Sequence, residues 1–431
     1  MAARERDDRP AARGILSRLG TGARRGILGL GRRAERRAAA DTPLYLDYFH
    51  ATGLDALHPL TAGNRVRLFS SGTRAFRAME GAIFRARTTI DYEVYIFAAD
   101  DCGERILSLL VAARRRGVDV HLLVDAVGSL ETPDEFFDPL VSLGGRVERF
   151  NPIFGWHRKR WHPNERDHRK ILVIDGRVAF VGGMNVDARN AGDHETDPEA
   201  WRDTQARVEG PVVSAIQDLF VDHFEWETGE RLDRPESGDL DAEDEPLPGT
   251  SRARVVGGEP GTKIGPIRRA YVFALRRAAR RAFFTTSYFV PPRSFLRALK
   301  RAARRGVDVR LLLPGRTDHR FVMRAGQSFY AQLLRAGVRI FEWTRSPLHA
   351  KTAVVDDAWS VVGSANLDVR SFEINYEADL HCLGGRVGPM MTALFLRDAA
   401  SAREILLPDW ERRSLLRRLV EKFCALFRRF L

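Results

Sequence analysis

Short, continuously apolar runs alternate with basic amphipathic stretches along this 431-residue chain, and they do so twice in the same order. The first pass holds TTIDYEVYIF (88–97), AARRRGVDVHLLVD (112–125) and HRKILVID (168–175). The second holds FFTTSYFV (283–290), AARRGVDVRLLLP (302–314) and HAKTAVVD (349–356). Apolar runs of about 4–8 residues bounded by turn residues read as strands buried on both faces, and the basic stretches between them as helices. Near-repetition of a whole strand–helix–strand order marks an internal duplication. The expectation is an α/β fold of two similar halves, each a mostly parallel sheet with helices on both faces.

Between the halves, TGERLDRPESGDLDAEDEPLPGTS (228–251) is acidic, rich in proline and without apolar periodicity, so it reads as a linker. The resulting division is a basic N-terminal segment 1–40, a first domain 41–227, the linker 228–251, a second domain 252–410 and a basic C-terminal helix 411–431. In that last segment Leu415, Leu416, Leu419, Val420, Phe423, Leu426, Phe427 and Phe430 recur at steps of three and four with Arg between them. Such a helix either lies on an anionic leaflet or docks its apolar stripe on the body.

The net charge of +12 is located entirely at the ends: residues 1–40 contribute +7 and residues 411–431 contribute +5. The neutral body argues against a core built to coat nucleic acid. No run approaches the roughly 18 apolar residues of a membrane span, and GILGLG (26–31) is too short for a signal-peptide core. Cys102, Cys382 and Cys424 have no paired spacing, so neither a disulfide framework nor a zinc site is expected, and a reducing, cytoplasmic setting is the default.

Both halves close on one pattern. His168, Lys170 and Asp175 are followed by GGMN ending at Asn185; His349, Lys351 and Asp356 are followed by GSAN ending at Asn366. At this composition about 0.01 copies of HxKxxxxD arise by chance, so two aligned copies carry meaning. Only 6 of the 69 basic residues are Lys, yet one stands two residues after each of these histidines, which points to a need for a compact ammonium. On a strand, His168 and Lys170 share a face. Asp175, seven residues from His168, falls on the other face or in the turn, so it and Asp356 read as architectural. Two His–Lys–Asn sets together supply a nucleophile, a proton donor for a leaving alkoxide, and donors for phosphate oxygens, with no metal or other cofactor required.

The blocks NERDHRKILVIDGRVAFVGGMNV, WRDTQARVEGP, SYFVP and HAKTAVVDDAWSVVGSANLDVRSFEINYE resemble the signature blocks of the phospholipase D superfamily, in its cardiolipin synthase branch, from about residue 64 to Trp410. The resemblance implies duplicated phospholipase D-type domains about a pseudo-twofold axis with one active site at their interface. It groups His168, Lys170, Asp175, His349, Lys351 and Asp356 as the catalytic set, with Lys170, Asn185, Lys351 and Asn366 on the phosphate. Glu377 resembles the carboxylate that orients a histidine, Asp203 of the WRD block is its choice in the first half over Glu195, and Glu93 is an acidic residue near the site. The small residues Gly182, Gly183, Gly363 and Ser364 are expected to let a phosphate approach the backbone. His121, His194, His223 and His381 lack motif context and read as surface or packing residues, while His157 and His162 sit in a basic run facing headgroups or solvent.

The function so implied is transfer of a phosphatidyl group from phosphatidylglycerol, through a phosphohistidine, to a second phospholipid hydroxyl with release of glycerol. His168 is the expected nucleophile and His349 the acid–base, with the reverse assignment open. The expected partners are phospholipid substrates and an anionic membrane surface rather than nucleic acid, and the expected location is peripheral, on the cytoplasmic face of a bacterial inner membrane. The sequence lacks the two N-terminal spanning helices of the best-known form. Rivals are a phospholipase D yielding phosphatidic acid, a nuclease of the same chemistry, and a noncatalytic scaffold.

Overall fold

The computed structural model describes residues 59–152, 154, 162–232, 249–261, 265–317 and 319–427. The N-terminal segment, His157 and the middle of the expected linker lie outside the described residues. The helix Val212–Thr228 and the strand beginning at Ser251 flank that linker.

Fifteen strands of the described residues join in one sheet. From the outer edge of the first half they run Arg146–Phe150, Asp119–Asp125, Thr89–Val94, Lys170–Ile174, Val178–Gly182, Gln205–Glu209 and Thr61–Phe69. The second half continues as Ser251–Gly258, Glu377–Leu383, Trp359–Gly363, Thr352–Val355, Arg281–Thr285, Asp308–Pro314 and Arg339–Trp343, with Arg403–Ile405 added at the far edge. Read inward from each edge, the two halves have the same order of equivalent strands. The seam is an irregular antiparallel pairing of Thr61 with Ala253 and Asn64 with Ser251.

The expectation of a mostly parallel sheet is corrected. Only the outer three strands of each repeated set pair in parallel, and the rest are antiparallel. The reason lies in two tight hairpins. Asp175 and Gly176 both have positive φ (53° and 63°), as do Asp356 and Asp357 (54° and 61°), the backbone of a two-residue turn that sends the chain straight back beside itself.

Helices Gly72–Arg85 and Asp101–Arg115 cover one face of the first half, sharing a core with Ile90, Tyr92, Leu122 and Val124. Pro266–Arg277 and Arg293–Arg304 do the same in the second half. On the other face, the apolar sides of Val212–Thr228 and Val387–Ala400 join a core common to both halves, in which Ile171 and Val181 belong to one cluster with Val354, Val362 and Leu380. The halves are therefore bonded by buried apolar surface and not by the seam alone.

Candidate active site

His168 stands two residues before the strand Lys170–Ile174, and His349 three residues before its equivalent, Thr352–Val355. Backbone bonds fix both to the opposite half. His168 N donates to Tyr376 O (2.9 Å) and Tyr376 N to Arg166 O (2.9 Å). His349 N donates to Arg202 O (2.8 Å) and Arg202 N to Pro347 O (2.8 Å). These are short parallel bridges, and each places the next residue of the opposing chain, Glu377 or Asp203, beside a histidine.

The carboxylates are crossed. His168 Nδ1 lies 3.0 Å from Glu377 Oε2, and His349 Nδ1 lies 2.6 Å from Asp203 Oδ2. With Nδ1 held, each ring offers Nε2 to a ligand. The histidine side chains remain 11% and 9% exposed, whereas those of Glu377 and Asp203 are wholly buried, so what a ligand can reach is imidazole and not carboxylate. Tyr95 packs edge-on against His168 at 5.2 Å and Trp201 lies 4.7 Å from His349, steadying both rings. Neither aromatic was singled out from sequence, because neither belongs to the repeated motif.

Lys170 Nζ donates to the carbonyl of its own histidine (2.7 Å), and Lys351 Nζ does the same to His349 O. Asn185 Oδ1 accepts from Ile96 N (3.2 Å), and Asn366 Oδ1 from Thr286 Oγ1 (3.3 Å) and Tyr288 N (3.4 Å). With Oδ1 engaged, what each amide can give an oxygen ligand is its N–H donors. Both asparagines are thereby tied to the ends of the aromatic strands.

Burial dominates the electrostatics. It holds His168 well below the ordinary imidazole range, helped by Lys170 and Lys351, and pushes His349 down to about 3, helped by Lys351. Burial lowers Lys170 to about 8 and Lys351 to about 7. The two carboxylates are driven apart. Burial raises Glu377 to about 7 against Lys170, whereas in Asp203 the same burial is outweighed by His349 and Lys351, which hold it below the usual carboxylate range. Two equivalent positions thus differ in proton affinity.

Asp175 and Asp356, grouped with the catalytic set by resemblance, lie away from the histidines. Asp175 accepts from Arg87 N, Thr88 N and Thr89 N, and Asp356 from Ala279 N, Arg280 N and Arg281 N, so each fixes the entry to the neighbouring central strand. The glycines also act differently from expectation. A Cβ at Gly183 would stand 2.3 Å from Asp203 Oδ1, and one at Gly363 would meet Asp379 Oδ1, so their missing side chains make room for buried carboxylates and not for phosphate. Ser364 Oγ donates to Glu377 Oε2.

Glu93 lies behind the site, fully buried, with His223 Nδ1 at 2.6 Å and Arg169 at 3.8 Å. Ligand atoms of Glu93, Asp167 and His223 come within 4.8 Å of one another, a spacing open to a cation. The Arg169 guanidinium supplies positive charge there, and burial raises Glu93 to about 7. His121, His194 and His381 are buried, as is His223. Glu195 instead reaches Arg397 at 3.7 Å, with a side chain 60% exposed.

Two α/β repeats that exchange carboxylates across a pseudo-twofold to complete one paired His–Lys–Asn site define a protein of phospholipase D type. The family model described as "Cardiolipin synthase, PLD-like domain" matches residues 79–207 and again 271–398. Cardiolipin synthase A of Pseudomonas fluorescens is 36% identical over 348 residues, 80% of this chain and 71% of that protein. Cardiolipin synthase of Clostridium perfringens is 32% identical over 375 residues, 85% of this chain and 77% of that protein. The crystal structure of phosphatidylserine synthase from Haemophilus influenzae superposes with a TM-score of 0.65 over 85% of this chain and 95% of that one, at 14% identity, a likeness of fold. The chain belongs to the cardiolipin synthase family of phospholipase D-like proteins.

Proposed function

We propose that this phosphatidyltransferase takes its phosphatidyl group from phosphatidylglycerol and passes it, through a covalent phosphohistidine, to the hydroxyl of a second phospholipid. The crossed His–carboxylate pairs carry the reading. His168 Nε2 attacks the phosphorus as the bond from phosphorus to the glycerol oxygen breaks, and protonated His349 Nε2 gives its proton to that oxygen, releasing glycerol. The acceptor hydroxyl then gives its proton to His349 while its oxygen attacks phosphorus, and the P–N bond breaks to restore His168.

The unequal carboxylates support this direction. Ionised Asp203, 2.6 Å from Nδ1, favours a cationic His349, and the negative phosphodiester opposes the burial and the lysine charge that depress it. Glu377, raised to about 7, exerts a weaker pull on protons at His168 and leaves its Nε2 lone pair free to attack. Lys170, Lys351, Asn185 and Asn366 surround the phosphate oxygens, where charge grows in the transition state. Phospholipid substrates place the enzyme at a membrane. No described helix is long and apolar enough to cross one, and the reading is a peripheral protein of the cytoplasmic face of a bacterial inner membrane.

The test is to incubate the purified chain with head-group-labelled phosphatidylglycerol and resolve the products, with His168→Ala and His349→Ala beside it. Cardiolipin and free glycerol, absent in both variants, are expected. Phosphatidic acid alone would make the chain a hydrolase, and unchanged turnover in His168→Ala would overturn the mechanism.

A further inference from the structure

The C-terminal helix Leu415–Leu426 docks on the body through Glu421 and Cys424 and turns its broad apolar side outward. Cys424 is 3% and Glu421 1% exposed; Glu421 pairs with Arg413 (2.8 Å) and Arg417 (3.3 Å), and Arg413 lies 3.7 Å over the ring of buried Trp410. Leu415, Leu416, Leu419, Phe423, Leu426 and Phe427, by contrast, stand 41–76% exposed. At about 100° per residue these six span an arc of roughly 120°, with Arg418 and Lys422 along one border. A soluble body has no reason to spend its apolar residues on the outside of a helix that is already anchored by other groups.

The position of this face relies on the same strand ends that build the active site. Phe427 meets Phe321 (5.8 Å) of the helix Arg320–Gln327, which follows the strand Asp308–Pro314. That helix packs Gly326 onto the carbonyl of Phe289, next to Tyr288, whose N–H bonds Asn366. The equivalent loop of the first half, after Asp119–Asp125, exposes Leu130. Its neighbour Ser129 accepts from Phe97 N (2.9 Å) and donates to Tyr95 O (3.2 Å), and Tyr95 is the ring against His168. Both halves thus carry exposed apolar groups on elements that connect to the strand ends holding the site.

We propose that the outward face of Leu415–Leu426, together with Phe321 and Leu130, is the surface on which the protein sits on an anionic phospholipid bilayer, setting the catalytic opening at headgroup level. Charge selects this occupant. Residues 411–431 carry +5, which an anionic leaflet attracts and which a second copy, meeting it face to face, would repel. The inference rests on the phospholipid-substrate reading above but is tested apart from it.

The full chain is floated with vesicles of phosphatidylglycerol in phosphatidylcholine and with phosphatidylcholine alone, beside a Leu416→Glu/Leu419→Glu/Phe423→Glu variant and a Leu130→Glu variant. All four positions are exposed, so folding is expected to survive, and melting curves check it. The triple variant is expected to bind the anionic vesicles at least tenfold more weakly and Leu130→Glu severalfold more weakly. Turnover of short-chain phosphatidylglycerol in detergent micelles should stay within about twofold in both. The basic segment 1–40 is present in every variant, so the difference reports the helix. Equal partitioning of wild type and triple variant would overturn the proposal, as would a triple variant that binds vesicles normally but changes oligomeric state. Loss of vesicle binding in a chain without transferase activity would sustain the docking surface and sink only the catalytic reading.

Discussion

Replacing Asp203 with Asn removes one negative charge from the centre of the site while keeping its shape. The carboxylate is wholly buried, 2.6 Å from His349 Nδ1, with a second bond from Thr204 N at 2.7 Å that an amide oxygen can still accept. A hydrogen bond to a charged group is worth about 1.5–3 kcal/mol, which at 1.36 kcal/mol per decade is roughly 10–150-fold in rate. A further loss follows if the amide turns its NH2 toward Nδ1, because the ring then carries its proton on Nε2 and cannot accept one from the incoming hydroxyl. Carboxylate-to-amide changes behind a catalytic histidine reach about 10⁴ in kcat for that reason. Asp203→Asn is therefore expected to lower kcat by about 10²–10⁴, with KM changed less than severalfold, since Asp203 touches histidine and not lipid. The assay is release of labelled glycerol from micellar phosphatidylglycerol, beside a thermal melt. A folded variant losing less than fivefold in kcat, or losing only in KM, would refute the assignment of Asp203 to His349.

Three further outcomes are expected. In the bound complex, where the phosphodiester has restored the proton of His349, Glu377, raised to about 7, must be ionised to hold His168, so kcat rises with pH through about 7; Lys351 at about 7 and Lys170 at about 8 must be protonated, so it falls again above that, giving a narrow bell, and a Glu377→Gln variant that kept the acid limb would contradict the attribution. Gly183→Ala forces a Cβ to within 2.3 Å of Asp203 Oδ1, so it should cost about 1–3 kcal/mol in denaturant unfolding and at least tenfold in kcat, whereas a silent Gly183→Ala would mean the carboxylate can move freely. Asp356→Ala strips an acceptor from three backbone N–H groups and leaves Ala at φ 54°, an expected loss of about 2–4 kcal/mol by denaturant titration, with kcat of the folded fraction within a few-fold if Asp356 is architectural.

Local chemistry was legible in the sequence wherever it repeated. The duplication, the His–Lys pairs and the turn positions of Asp175 and Asp356 all rest on contacts between near neighbours, which spacing encodes directly. The sheet's strand directions were misread because apolar content marks a strand as buried without saying which way its partner runs. The two-residue positive-φ turns at Asp175–Gly176 and Asp356–Asp357 decide that, and only the first carries the Asp-Gly signal that advertises such a turn. Composition likewise marked 411–431 as amphipathic but left open which side faces the body, since Cys424 and the paired Glu421 are ordinary residues until Trp410 and Arg413 are in place.

The crossed carboxylates lay beyond any spacing rule, because His168 and Glu377 are separated by 209 positions and His349 and Asp203 by 146. Their geometry explains why one chain carries two similar halves. Within its own half neither histidine has its Nδ1 partner; the bridge from Tyr376 to His168 supplies one, and the bridge from Arg202 to His349 supplies the other. Buried Arg202 is anchored in turn on Asp398 of the second half (2.6 Å), so the strand end bearing Asp203 is held by the same half whose histidine it orients. Each half is thus incomplete alone, and duplication in one chain guarantees the partner. Covalent linkage also frees the copies to diverge, which is how equivalent positions come to hold an Asp kept ionised and a Glu poised near neutrality. A symmetric pair would give two equal histidines, whereas nucleophilic attack and proton donation need two unequal ones.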